Sequence, residues 1–119
     1  MINLKEKPFY LNDDDIQWVE STLAGMTEAE KIGQLFCLIV YDNDQSYLKN
    51  LAINTKPGGV MCRPMLATET VDIVRILQEH SRIPMLIAAN LETGGNGISS
   101  EGTFLGCAMQ VAATADDEM

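Results

Sequence analysis

The sequence predicts an α/β fold assembled from parallel β/α repeats, and three observations predict it. Apolar runs suited to strands begin near residues 35, 59 and 85, a spacing of roughly 25 residues. A segment with helical periodicity lies between each pair. Turn-forming or polar residues follow each run: Asp42-Asn43-Asp44 after the first, Arg63-Pro64 after the second and Asn90 after the third. A β-α-β-α-β order specifies right-handed crossovers and hence a parallel sheet. The repeat length fits an eight-fold β/α barrel, of which this chain would hold about three repeats, a partial TIM (β/α)8 barrel.

Within that frame the elements follow in order. Asn12 is a good N-cap, and Asp13, Asp14 and Asp15 place carboxylates at the positive end of a helix dipole. Ile16, Val19 and Leu23 recur at helical spacing, so residues 13–24 read as an amphipathic helix ending near Gly25. Metal binding is the alternative for the aspartate triplet, but consecutive helical residues point in different directions. Thr27 and Glu30 form a capping-box pair that starts a short helix ending at Gly33. Leu35 to Val40 reads as the first buried strand.

Asp42-Asn43-Asp44 can cap a helix with apolar positions Tyr47, Leu48, Leu51 and Ala52. Pro57-Gly58 breaks it, and Gly59 to Cys62 is a short second strand closed by Arg63-Pro64. Thr68 to His80 is the clearest helix, with a stripe of Val71, Val74 and Leu77 widened by Ile73 and Ile76. Met85 to Ala89 is the third strand, apolar throughout and expected to be buried on both faces. Residues 91–108 form a long glycine-rich loop, and Ala108 to Ala113 is a short strand or helical turn. Thr114 to Met119 resembles a helix start whose apolar face is missing, so we expect a piece of a longer parent. In this reading residues 1–25 are a leading helical segment and residues 26–119 the β/α repeats.

Composition narrows the partners. The chain has 119 residues, one domain at most, with 17 acidic against 8 basic side chains and a net charge of −9. That charge argues against nucleic acid or an anionic membrane surface. No apolar run approaches the roughly 18–20 residues of a membrane span, and residues 1–7 lack a signal peptide's apolar core. Cys37, Cys62 and Cys107 are too scattered for a disulfide framework or a zinc site, which fits reduced thiols and a cytoplasmic location. Cys37 and Cys62 fall in apolar strands and are expected in the core. Three parallel strands leave two open edges, which invites completion by further sequence or self-association.

The candidate site follows the third strand. Groups that bind and react cluster where parallel strands end and loops begin. Asn90 and Glu92 stand there, ahead of Gly94, Gly95 and Gly97, and are expected to face a ligand cleft. The alternative is that both merely cap the loop through backbone bonds. Arg63 ends the second strand on the same rim and could reach a ligand, with a surface ion pair as its alternative. Gly94-Gly95-Asn96-Gly97 does not fit a nucleotide-binding fingerprint. His80 falls at a helix C-terminus, on the rim opposite such a site, and Ser99 and Ser100 have no histidine near them in sequence.

These residues resemble the N-terminal barrel of family 3 glycoside hydrolases. Met26 to Leu35 is similar to that barrel's opening motif, and Gly58-Gly59-Val60 to the start of its second strand. Ile83 to Glu92, followed by Gly94-Gly95, resembles its third strand and the loop usually written Asp-x-Glu-Gly-Gly. Gly106 to Thr114 resembles the approach to the next helix. The resemblance implies cleavage of β-linked sugars, β-N-acetylglucosaminides or β-glucosides, with retention and with no metal or organic cofactor. It implies an aspartate nucleophile on a late strand and an acid/base from a later loop or second domain, neither within this chain. By the same resemblance Asn90 occupies the position of a sugar-binding aspartate and Glu92 that of the loop glutamate. Asparagine here exchanges two acceptors for one acceptor and two donors. The arginine that commonly follows the paired glycines is absent, since no Arg or Lys follows Arg82.

Overall fold

The computed structural model of the chain describes residues 2–115, so the helix start expected near the C-terminus lies, from residue 116 onward, outside the described residues. The chain divides into two compact units, Met1–Ile32 and Gly33–Met119. In the first, α1 runs Asp13–Ala24, and Asn12 caps it by accepting from the Asp15 N–H at 2.8 Å. α2 follows at Glu28–Gly33, its last residue opening the second unit. The capping box forms as expected: Thr27 Oγ1 accepts from the Glu30 N–H at 3.2 Å, and Glu30 reaches back to the Thr27 N–H at 2.9 Å.

The second unit is a three-stranded parallel sheet in the order β1-β2-β3, from Cys37–Val40, Gly59–Cys62 and Leu86–Ala89. Paired rows run Leu38, Val60, Ile87 and then Val40, Cys62, Ala89. Between β1 and β2 lies α3 (Gln45–Asn50), capped by Asp44 accepting from the Tyr47 N–H and continued by a π-helical turn over Leu51–Thr55. Between β2 and β3 lies α4 (Ala67–His80), and α5 (Ala108–Ala112) closes the described chain as a helix.

Both connecting helices lie on one face of the sheet. Right-handed crossovers between sequentially adjacent strands permit only that arrangement, which is barrel-like; a doubly wound sheet has helices on both faces. The core is therefore one-sided. Val40, Val60 and Cys62 meet Leu48, Leu51 and Ala52 from the first crossover and Ile73, Ile76 and Leu77 from the second. Each fully buried aliphatic side chain contributes about 1.5–3 kcal/mol. Gln78 docks β3 onto α4 by donating to the Met85 carbonyl at 2.9 Å and accepting from the Met85 N–H at 3.0 Å.

The one-sided core corrects several expectations. β3 is not buried on both faces, for Leu86 is 78% exposed. β1 likewise buries only Val40 completely. The strands are apolar on both sides, but described chain covers only one of them. Cys37 lies on the uncovered side and is exposed, whereas Cys62 is buried as expected. On α4 the buried face is Ile73, Ile76 and Leu77; Val71 is 64% exposed. The stripe is rotated because the sheet is met by positions 73, 76 and 77.

Candidate functional site

The sheet's carboxyl end is built from the residues that follow the last paired row. Val40, Cys62 and Ala89 align there, so Tyr41, Arg63 and Asn90 form the next row. The Arg63 N–H donates to the Val40 carbonyl at 3.1 Å, which carries the β1–β2 ladder one step further. Side chains alternate along a strand. The row therefore falls on the side of Ile39, Met61 and Ala88, opposite the face that packs on α3 and α4. Tyr41, Arg63 and Asn90 are all exposed.

The loop after β3 is ordered by its glycines rather than left open. Gly94 adopts φ +112°, which side-chain-bearing residues rarely reach. A Cβ on Gly97 would collide with the Asn90 carbonyl oxygen, so only glycine lets this turn fold back onto the strand end. A 3-10 turn spans Gly95–Gly97, and the Leu105 N–H returns to the Thr93 carbonyl at 2.8 Å. The loop is then stitched to the end of β2. The Ser100 N–H donates to the Met65 carbonyl at 2.7 Å, and Met65 and Ser99 form a parallel bridge.

Most carboxylates at this rim are already engaged. Asp44 caps α3, and Asp42 accepts from the Asp44 N–H at 3.0 Å. Glu69 accepts from the Leu66 N–H at 3.1 Å and from Asn43 Nδ2 at 3.0 Å. Glu101 accepts from the Ala67 N–H at 2.8 Å. By contrast, Arg63, Asn90 and Glu92 make no side-chain hydrogen bond or ion pair among the described residues. Among the described residues, then, the Asn90 and Glu92 side chains do not cap the loop and Arg63 forms no ion pair.

Arg63 and Asn90 follow directly on the paired residues Cys62 and Ala89 of neighbouring strands, and Glu92 lies two residues further along the loop. Glu92 lines a neighbouring cleft of about 460 Å³, between the 91–94 turn and α5, together with Leu91, Leu105, Ala108 and Val111. Asn90 and Arg63 do not line that cleft. Tyr41 and Glu101 escaped the sequence reading for physical reasons. The Tyr41 position emerges from strand register, and the Glu101 bond spans 34 residues with no local pattern to mark it.

Among the described residues, no cluster of three or more His, Cys, Asp or Glu could hold a metal ion, and no helix is long and apolar enough to cross a membrane. All three cysteines are free. Burial pushes the Cys62 thiol pKa up, since the thiolate would lose its hydration. His80 ends α4 with Nδ1 2.8 Å from the Ile76 carbonyl oxygen.

No protein-family model matches the chain. It is 47% identical over 118 residues to a β-N-acetylglucosaminidase/β-glucosidase of Cellulomonas fimi, a match covering 99% of this chain and 21% of that protein. Among solved structures it is similar to the β-glucoside phosphorylase BglX bound to 2FGlc, with 40% identity and a TM-score of 0.83 over 97% of this chain and 21% of that one. A second structure of the β-glucoside phosphorylase BglX matches with 40% identity and a TM-score of 0.75 over 95% and 20%. The chain thus spans about a fifth of the length of these relatives.

Proposed function

This chain is a glycoside hydrolase family 3-like segment, homologous to part of a β-N-acetylglucosaminidase/β-glucosidase, and from that premise we propose that it forms the N-terminal three repeats of a (β/α)8 barrel that binds β-linked sugars. Residues 1–25 lead into it and residues 26–119 are its β/α part. The observation that carries this reading is the rim row: Arg63 and Asn90 stand uncommitted on the face opposite α3 and α4 at the carboxyl ends of the strands. That is where barrels collect substrate groups.

Asn90 supplies a hydroxyl acceptor and two donors, Arg63 a forked donor, and Glu92 a carboxylate on the loop beyond. The whole protein transfers a glycosyl group from a β-glucoside or β-N-acetylglucosaminide to water or to phosphate. It uses no metal or organic cofactor and works in the cytoplasm, a compartment that the three free thiols of this segment suit. Retention needs two groups about 5–5.5 Å apart in the usual carboxylate case. In the family these two groups belong to later segments of the protein, so the 119-residue chain alone binds sugar weakly and does not cleave it.

Incubation with aryl β-glucosides and aryl β-N-acetylglucosaminides tests the second half of this reading: no turnover is expected. Turnover that disappears in Asn90→Ala would show that the segment carries its own catalytic groups. Calorimetric titration with methyl β-glucoside tests the first half. Asn90→Ala is expected to weaken binding about ten-fold, the equivalent of about 1.4 kcal/mol, and unchanged binding would remove Asn90 from the site.

The open edges of β1 and β3, with exposed Leu35, Phe36 and Leu86 beside them, favour a second reading for the isolated chain. In it, strand pairing between copies covers what further repeats cover in a barrel. Light scattering over a concentration series decides: a mass fixed at one chain rules this association out.

A further inference from the structure

We infer that Tyr41 is a third sugar-contacting residue, an aromatic wall standing across Arg63 from Asn90 and selecting pyranosides that present an apolar face of ring hydrogens, as an all-equatorial β-glucoside does. This rests on the sugar site proposed above and extends it to a different strand. Tyr41, Arg63 and Asn90 each follow directly on the last paired row of the three strands, Val40, Cys62 and Ala89. The Arg63 N–H to Val40 carbonyl bond keeps β1 and β2 in step up to that row.

The ring takes no part in the core. Tyr41 is 70% exposed and makes no side-chain hydrogen bond among the described residues. Tyr47, by contrast, sits within α3. Adjacent strands lie about 4.8 Å apart, so the backbones of Tyr41 and Asn90 are about 10 Å apart across Arg63. A phenol projecting from one side of that span leaves room for one six-membered ring before the Asn90 amide.

The row beneath decides how the labour divides. Ile39, Met61 and Ala88 form an apolar floor with no side-chain hydrogen-bonding group. Sugar hydroxyls must then pair with Arg63 and Asn90, while the carbon–hydrogen face of the ring packs on Tyr41. Binding sites commonly combine an apolar or aromatic lining with a few placed polar groups in this way. Asp42, next in sequence, is held by the Asp44 N–H and does not compete for the same contact.

Saturation-transfer NMR of the 119-residue chain with methyl β-glucoside tests the assignment. Tyr41→Ala is expected to weaken binding about five- to ten-fold and to erase transfer to the hydrogens of one ring face. Tyr41→Phe should bind like the parent, because the ring and not the hydroxyl makes the contact, and Tyr47→Ala should change nothing. Equal loss in Tyr41→Phe and Tyr41→Ala would overturn the stacking role. Unchanged binding in Tyr41→Ala, alongside loss in Asn90→Ala, would overturn Tyr41 and leave the sugar site standing. No transfer at all from the parent chain would overturn both.

Discussion

Replacing Glu101 is the sharpest test of how the rim is held together. α4 begins after Leu66, which has no side-chain acceptor to offer, so the first-turn N–H groups need partners from elsewhere. Glu69 reaches back to the Leu66 N–H, and Glu101 takes the Ala67 N–H at 2.8 Å from a loop 34 residues away. Glu101 therefore does the work of the missing cap, and its charge also favours the helix dipole. Losing a cap costs about 1 kcal/mol, and the charge at an exposed helix start about 0.3–1 kcal/mol. Glu101→Ala should accordingly destabilise by about 1.3–2 kcal/mol. Glu101→Gln, which keeps an acceptor, should lose only the smaller share. For a unit of this size each kcal/mol lowers the Tm by about 4–8 °C. Urea titrations of both variants measure the difference, with exposed Glu79→Ala as the reference. If Glu101→Ala matches Glu79→Ala, the bond across the rim stabilises nothing and the account of α4 capping fails.

Two further outcomes follow from the one-sided core. Leu77→Ala empties a fully buried position and should cost about 2–5 kcal/mol, whereas Val71→Ala on the same helix should stay within about 0.5 kcal/mol; similar losses by urea denaturation would show that the buried face of α4 is misplaced. Thiol labelling with a chromogenic disulfide should modify Cys37 and Cys107 fast and Cys62 only on unfolding. Because the folded Cys62 pKa lies above its unfolded value, its contribution to stability is complete below about pH 8.5 and is lost as pH rises through the raised folded value. The urea midpoint should therefore fall on the alkaline side, with a smaller slope in Cys62→Ala, and an identical slope would refute the burial argument.

How much of this was legible in the residues differs by element. Local chemistry wrote the caps into the chain: Asn12 on α1, the Thr27–Glu30 pair on α2 and Asp44 on α3 all bond as their spacing requires. It also wrote β2, whose bounds Gly59–Cys62 match the run between Pro57-Gly58 and Arg63-Pro64. The parallel order followed from the alternation of helices and strands. Burial was not legible in the same way. A continuous apolar run says that a strand can be covered on both sides, not that it is, and so Cys37 and Leu86 came out exposed.

The sequence by itself determined that this protein is an α/β chain of parallel repeats, and that Arg63 and Asn90 stand where strands end, because caps, turns and periodicity act over a few neighbouring residues. Tertiary structure alone decided that Tyr41, Arg63 and Asn90 follow the same paired row, that Glu92 lines a cleft against α5, and that Glu101 caps a helix 34 residues away. Those facts depend on strand register and on contacts between distant segments, whose positions are fixed only when the helices bury their apolar faces against the sheet.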